Sequence, residues 1–289
     1  MIHVLVFAAT LAAVSPTPAP AAPPSSAPMA SPAPADDPCD GPGRLLATLD
    51  RPTVGFSPCA VAPGMLLLEE GYQSQINGTN ESGASYLDQY PQSIIRYGLA
   101  QRFEFDLIGP NYVRAAAPDG KGGLARTQGY SDGGLGIKVE FAPRGRTTVA
   151  VDGLYTAPNG SPGFTAGGAT ETLNLDAGYA LSDTVGIGTT LALQSTSGFD
   201  AAGNRARYGV FLPSVVVTKQ LPRATQLYGE YVYASKLAPD QSGRAFVDGG
   251  VQKLLGSRFE LDVELGQSLI GDPSKRFHYL GLGFGVRLR

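Results

Sequence analysis

Phe259-Glu260-Leu261-Asp262-Val263-Glu264-Leu265 sets four apolar residues against three acids in strict alternation. A period of two puts every apolar side chain on one face of an extended strand and every carboxylate on the other, where a helix would need apolar spacings of three and four. Leu280, Leu282, Phe284, Val286 and Leu288 alternate with Gly281, Gly283, Gly285 and Arg287. Val185, Ile187, Thr189, Leu191 and Leu193 alternate with Gly186, Gly188, Thr190, Ala192 and Gln194. The same pattern holds in Leu135–Phe141 and Phe103–Leu107.

Working outward, the alternation predicts twelve strands, near 65–76, 88–99, 102–113, 129–141, 146–156, 170–181, 184–196, 206–219, 224–235, 243–255, 258–269 and 277–289. The eighth is the weakest in phase, because VFLPSVVV (210–217) is apolar on both faces and contains Pro213. MLLLEEGY leaves the phase of Glu69 and Glu70 open in the first. Connections alternate between long ones, such as GPNYVRAAAPDGKGGLARTQ and TAPNGSPGFTAGGA, and short ones, such as APRGR, LSDT, QLPRA and LLGSR. With an even number of strands, all short turns fall at one end together with both barrel termini. A soluble β-sandwich has no reason to segregate loop length this way. A bacterial outer-membrane barrel does, with short periplasmic turns and long outer loops.

Composition agrees. Among 289 residues there are 38 glycines and 23 prolines, and charged residues make up 16%. Glycine stands near double the ~7% of average proteins and charge well below their ~25%. The longest apolar stretch, Val4 to Val14, is too short to cross a bilayer as a helix, which takes about 20 residues. Net charge is −3, with no basic footprint for nucleic acid. Two histidines, His3 and His278, exclude a histidine-rich metal site by counting, and no metal or cofactor is expected.

Four regions follow. Residues 1–21 read as a secretory signal, with cleavage after Ala21 or Ala35, although no Lys or Arg precedes the apolar stretch. Residues 22–38 are a Pro/Ala/Ser-rich linker that lacks the apolar surface to fold. Residues 39–63 form a periplasmic N-terminal segment in which Cys39 and Cys59 either pair in an oxidising compartment or stay as two buried thiols. Residues 64–289 are the barrel: all-β, closed and antiparallel.

Energetics set the inside-out assignment. Charged side chains at mid-bilayer cost up to about 2–4 kcal/mol each, acids less than bases. The acid and glycine face therefore lines the interior and the leucine, valine and phenylalanine face meets lipid. On this phasing the lumen carries Glu104, Asp106, Asp132, Glu140, Asp152, Asp176, Glu230, Asp248, Glu260, Asp262 and Glu264. Its bases are Arg96, Lys138 and Arg287, with Arg289 as a further candidate. Two readings of such an interior stand side by side: a negative lumen that admits neutral or cationic solutes, and a salt-bridge network that fixes and fills the barrel. Of Tyr90, Tyr97, Tyr130, Tyr155, Tyr179, Tyr231, Tyr233 and Tyr279, the lipid-facing members are expected in interfacial belts.

PGMLLLEEGY, SIIRYGLAQRFEFDLIGPNY, SDGGLGIKVEF and the closing GLGFGVRLR together resemble a family of outer-membrane β-barrel transporters that includes outer-membrane proteins of the phenol meta-cleavage pathway. The resemblance covers about residues 50–289 and rests on Pro63, Gly64, Glu70, Arg96, Gly98, Leu99, Glu104, Asp132, Leu135, Gly136, Lys138, Gly281 and Gly283. Two departures stand out. Pro158-Asn159-Gly160 replaces a Pro-Thr-Gly, and Arg289 replaces the terminal aromatic that presents such barrels to the assembly machinery. The resemblance implies an outer-membrane transport role, for hydrophobic or aromatic compounds among others.

The expected function is an outer-membrane channel for small solutes in a Gram-negative bacterium, with the lipid bilayer, the barrel-assembly machinery and the solute as partners. The alternative is a structural or surface-interaction barrel with a plugged lumen. An enzyme of the outer-membrane phospholipase type needs a serine activated by an oriented histidine. His278 begins the lipid face of the last strand, and Leu280 rather than a serine lies two residues on, so catalysis is not expected.

Overall fold

The computed structural model describes Cys39 and residues 44–80, 83–269 and 276–289. The signal segment 1–21 and the linker 22–38 lie outside the described residues. One antiparallel sheet of fifteen segments closes on itself. Three of its strands are each broken in two, so the barrel has twelve: β1 (Leu66–Asn80), β2 (Gly83–Tyr90 with Ile94–Ala100), β3 (Phe103–Ile108 with Tyr112–Pro118), β4 (Leu124–Tyr130 with Gly134–Arg144), β5 (Thr147–Thr156), β6 (Thr170–Ala180), β7 (Val185–Phe199), β8 (Arg205–Leu221), β9 (Thr225–Ala238), β10 (Gln241–Leu255), β11 (Phe259–Ser268) and β12 (Phe277–Arg287). Closure runs from Leu67 opposite Arg287 to Asn77 opposite Phe277. No edge remains there for a bilayer to leave unsatisfied.

Burial inverts the order of a soluble protein. Along β11, Glu260, Asp262 and Glu264 are 0%, 3% and 4% exposed, whereas Leu261, Val263 and Leu265 are 43%, 45% and 63% exposed. The carboxylates face the lumen and the apolar side chains face outward. The phase left open in β1 resolves the same way: Glu69 is fully buried in the lumen, and Glu70 lies on the outer face, where it accepts a hydrogen bond from Ser93 Oγ at 2.7 Å. Tyr97, Tyr130, Tyr155, Tyr179, Tyr231 and Tyr233 are exposed outside, but Tyr279 is buried inward.

The breaks in β2, β3 and β4 lie side by side, at 91–93, 109–111 and 131–133. Pro91 and Pro110 have no N–H for the ladder. Each break shifts the alternation by one residue. Below them the even-numbered Arg96, Glu104, Asp106 and Lys138 are buried, and above them the odd-numbered Val113 and Gly129 are. Across the breaks the outer ends of β1–β4 continue as a raised sheet, marked by a row of rings: Tyr72 to Tyr90 at 6.0 Å, Tyr90 to Tyr112 at 5.5 Å and Tyr112 to Tyr130 at 5.2 Å.

A second irregularity sits between β8 and β9. Their pairing runs from Leu221–Thr225 up to Ser214–Val232 and stops, although both strands continue outward. It stops at Pro213, which cannot donate. Above it side chains bridge the gap: Phe211 N donates to Ser235 Oγ at 2.8 Å and Tyr208 Oη to the Leu237 carbonyl at 3.2 Å.

Candidate functional site: the lumen and its plug

The N-terminal segment occupies the lumen. A short helix, α1 (Arg44–Thr48), with Leu49 just after it, packs Leu45, Leu46 and Leu49 against Val61, Leu67 and Leu254. The chain then crosses the interior and returns to pair Pro63 with Gly98. Cys39 and Cys59 are joined by a disulfide, their Cα atoms 5.4 Å apart.

An extended segment offers backbone N–H groups that need acceptors once water is excluded. Here the wall's acids supply them. Asp50 N and Arg51 N donate to Glu69 Oε2 at 3.1 and 2.8 Å. Val54 N and Gly55 N each donate to one oxygen of Glu230 at 2.8 Å. Ala60 N donates to Glu140 at 2.8 Å, Val61 N to Glu104, and Phe56 N to Thr190 Oγ1 at 2.9 Å. Charge-assisted bonds of this kind are roughly twice as strong as neutral ones.

Side chains complete the hold. Asp50 lies 3.0 Å from Lys138 Nζ and 3.4 Å from Arg96. Arg96 also binds Glu69 and Glu104 at 2.8 Å each, and donates to the Thr48 carbonyl. Arg96 and Lys138 are fully buried, and a buried cation stripped of its partners is severely destabilising. In return Arg51 reaches Asp262 at 3.1 Å and Gln92 at 2.9 Å. Burial alone would lower the pKa of the Arg51 guanidinium; the carboxylates of Asp262, Glu264 and Glu69 outweigh it and raise the pKa above its ordinary value.

The inner glycines make room for this segment. A Cβ on Gly98 would collide with the Ala62 carbonyl, one on Gly283 would lie 2.5 Å from the Arg51 guanidinium, and one on Gly285 2.6 Å from a Leu49 methyl.

Most residues expected in the lumen meet there. Arg96, Glu104, Lys138, Glu140, Glu230 and Asp262 bind the plug directly, and Glu264 lies 3.9 Å from Arg51. Asp106 lies 3.8 Å from Arg96, Asp152 opposes Asn174 and Lys138 across the strands, and Asp176 accepts from Thr190 Oγ1 at 2.7 Å. Asp248 faces Glu230 across β9 and β10, Glu260 is fully buried, and Arg287 stands half-buried opposite Leu67. Asp132 differs. It sits in the β4 break and accepts the backbone N–H groups of Gly160 and Ala166 at 2.8 and 2.9 Å, anchoring the loop after β5. Sequence reasoning missed Asp50, Arg51 and Glu69. The one available signal was the surplus of lumen acids over lumen bases, which calls for donors from elsewhere in the chain.

Beside the plug is a cavity of about 320 Å³, lined by Arg51, Val54, Phe56, Gln73, Glu264 and Tyr279. It extends to Ser93 and Asn111, which lie in the breaks in β2 and β3, and to Ile94 and Ile108, which flank them.

No protein-family model and no curated protein matches the chain. Solved structures do. The COG4313 outer membrane channel from Pseudomonas putida F1 aligns over 79% of this chain and 97% of its own, with a TM-score of 0.59 and 15% identity. The NanC porin aligns over 77% and 100%, at 0.53 and 10%. The translocator domain of the autotransporter NalP from Neisseria meningitidis aligns over 85% and 94%, at 0.50 and 11%. At these identities the likeness is one of fold: a closed β-barrel of the outer-membrane type.

Proposed function

We propose that the protein is a passive outer-membrane channel for small solutes, hydrophobic and aromatic compounds among them. The observation that carries this reading is the cavity beside the plug, which joins a polar and aromatic interior to the row of breaks in β2 and β3. Phe56, Tyr279, Ile94 and Ile108 give it apolar surface, while Gln73, Gln92 and Asn111 give it neutral hydrogen-bonding groups. The two structural neighbours named as a channel and a porin support the reading by fold. The lumen acids serve first as acceptors for the plug, so a preference for cations belongs to the barrel once the plug is displaced. Insertion by the barrel-assembly machinery is part of this reading, and no catalysis is.

The test is solute uptake and single-channel conductance of the full chain in liposomes and planar bilayers. Uptake of small aromatic solutes above protein-free liposomes is expected, with low conductance in the plugged state. A specific observation favours a second reading, a barrel that is filled for stability and acts through its outer loops: Glu69, Glu104, Glu140 and Glu230 are all taken up by plug N–H groups. Absence of uptake by both the native chain and variants with a weakened plug decides for that second reading.

A further inference from the structure

The barrel's two ends differ sharply in charge. The short turns carry Arg102 after β2, Arg146 after β4, Arg223 after β8 and Arg258 after β10; Arg144 ends β4, and Lys219 and Lys253 take the positions just before two of those turns. Asp183 is the only acid in the short turns, all of which are described. The long-loop end is mixed: Arg114, Lys121 and Arg126 stand with Asp88, Asp119 and Asp132.

These cations form a continuous arc rather than scattered points. Arg146 donates to the Leu181 carbonyl at 3.1 Å, which ties the β4–β5 turn to the β6–β7 turn. Lys219 Nζ donates to Thr184 Oγ1 at 2.8 Å, tying that turn to β8. Lys253 Nζ donates to the Arg223 carbonyl and, at 3.1 Å, to Thr225 Oγ1, tying β10 to the β8–β9 turn. The Arg258 carbonyl accepts from Arg287 N at 2.8 Å, which carries the arc to β12. Every one of these side-chain bonds goes to a neutral acceptor, and among the described residues of the rim Arg102 alone has a carboxylate ion-pair partner, Glu140 at 3.7 Å, so the rim keeps a net positive charge.

Apolar surface adjoins three of these cations on the lipid-facing side. Val217 precedes Lys219, Val251 and Leu255 flank Lys253, and Leu221 precedes Arg223; all four apolar residues are exposed. A long basic side chain in that position lays its stem along the acyl region and lifts its charge to the headgroups. An acidic soluble protein would match the charge but meet this apolar rim. An amphiphile with an anionic head and acyl chains matches both.

We propose that the short-turn end of the barrel is a binding collar for anionic glycerophospholipid of the periplasmic leaflet. The proposal rests on the barrel spanning a bilayer with its short turns inward, and not on transport. The same electrostatics make juxtamembrane Lys and Arg clusters bind anionic lipid surfaces elsewhere.

Native mass spectrometry of the full chain with equal phosphatidylglycerol and phosphatidylcholine tests it, alongside an acidic polyglutamate peptide. Roughly fivefold or greater preference for phosphatidylglycerol is expected, falling toward parity in the variant Arg144→Gln/Arg146→Gln/Arg223→Gln/Arg258→Gln. It should persist in Arg114→Gln/Arg126→Gln, which removes charge from the long-loop end. Heat-modifiable migration on a gel verifies that each barrel is folded. Should the fourfold variant not fold, the pairs Arg144/Arg146 and Arg223/Arg258 are read separately, and the native chain is read at raised salt, where the preference should shrink. Equal retention of both lipids, or a preference untouched by both substitution and salt, overturns the proposal. So does binding of polyglutamate with no lipid preference, which would assign the collar to an acidic protein.

Discussion

The Asp50 carboxylate lies 3.0 Å from Nζ of Lys138, a cation of the barrel wall that is fully buried. Asp50 belongs to the plug and Lys138 to β4, so this ion pair joins two regions that the chain separates by 88 residues. Arg96, 3.4 Å from the same carboxylate, adds the second wall cation. Plug and wall are therefore electrostatically incomplete without each other.

Asp50→Ala should loosen the plug by about 3–5 kcal/mol, the usual penalty for stranding one partner of a buried pair. Single-channel recording should show a higher open fraction, while the barrel keeps its heat-modifiable migration. Asp50→Ala combined with Lys138→Met, which removes the stranded cation, should recover part of the closed state. A conductance identical to the native chain in the single variant would show that Asp50 does not hold the plug.

Gly98→Val tests the plug by shape rather than charge. The new Cβ would occupy the place of the Ala62 carbonyl, where the returning arm of the plug meets β2. Limited proteolysis should cut the 44–63 segment faster than in the native chain, with the twelve strands still protected. Native-like protection of that segment would count against the close approach.

The lipid-facing half of this structure was legible from sequence and the lumen-facing half only in part. Lipid is a uniform solvent, so it stamps one rule on every second residue, and Leu261, Val263 and Leu265 could be placed outside from alternation alone. The lumen imposes no such uniform rule. Alternation placed Glu104, Glu140 and Glu230 inside but was silent on whether they would meet water, a cation or backbone N–H groups. Pro91 and Pro110 were visible as residues, yet the one-residue phase shift they accompany shows only when neighbouring strands are aligned across the breaks. Asp132 falls at the shift itself, where it holds the loop after β5 instead of the plug. Asp50 and Arg51 lie in a stretch with no period at all, and their roles depend on partners far along the chain.

Cys39→Ser/Cys59→Ser should free the plug's entry arm. The disulfide spans 20 residues, and closing a loop of about that length removes about 3 kcal/mol of unfolded-state entropy. Because the wall acids still bind the plug backbone, the segment should remain in the lumen but open more often. Hydrogen exchange at Val54, Gly55 and Ala60 should quicken in the double variant, with the β11 amides unchanged.

Locking the plug asks whether solute must displace it. Gly55 points at Ser214 of β8, near enough that a Cβ on Gly55 would touch the Ser214 hydroxyl. Gly55→Cys with Ser214→Cys, made in the Cys39→Ser/Cys59→Ser background so that only one disulfide can form, should cross-link plug to wall on oxidation. If transport needs the plug to move, solute uptake into liposomes should stop on oxidation and return on reduction, while either single cysteine behaves the same under both conditions. If the cavity beside the plug connects to the breaks in β2 and β3 without that movement, uptake of small apolar solutes should survive the lock and only ion conductance should fall. Comparing the two readouts on one oxidised sample separates a path through the plugged lumen from a path around it.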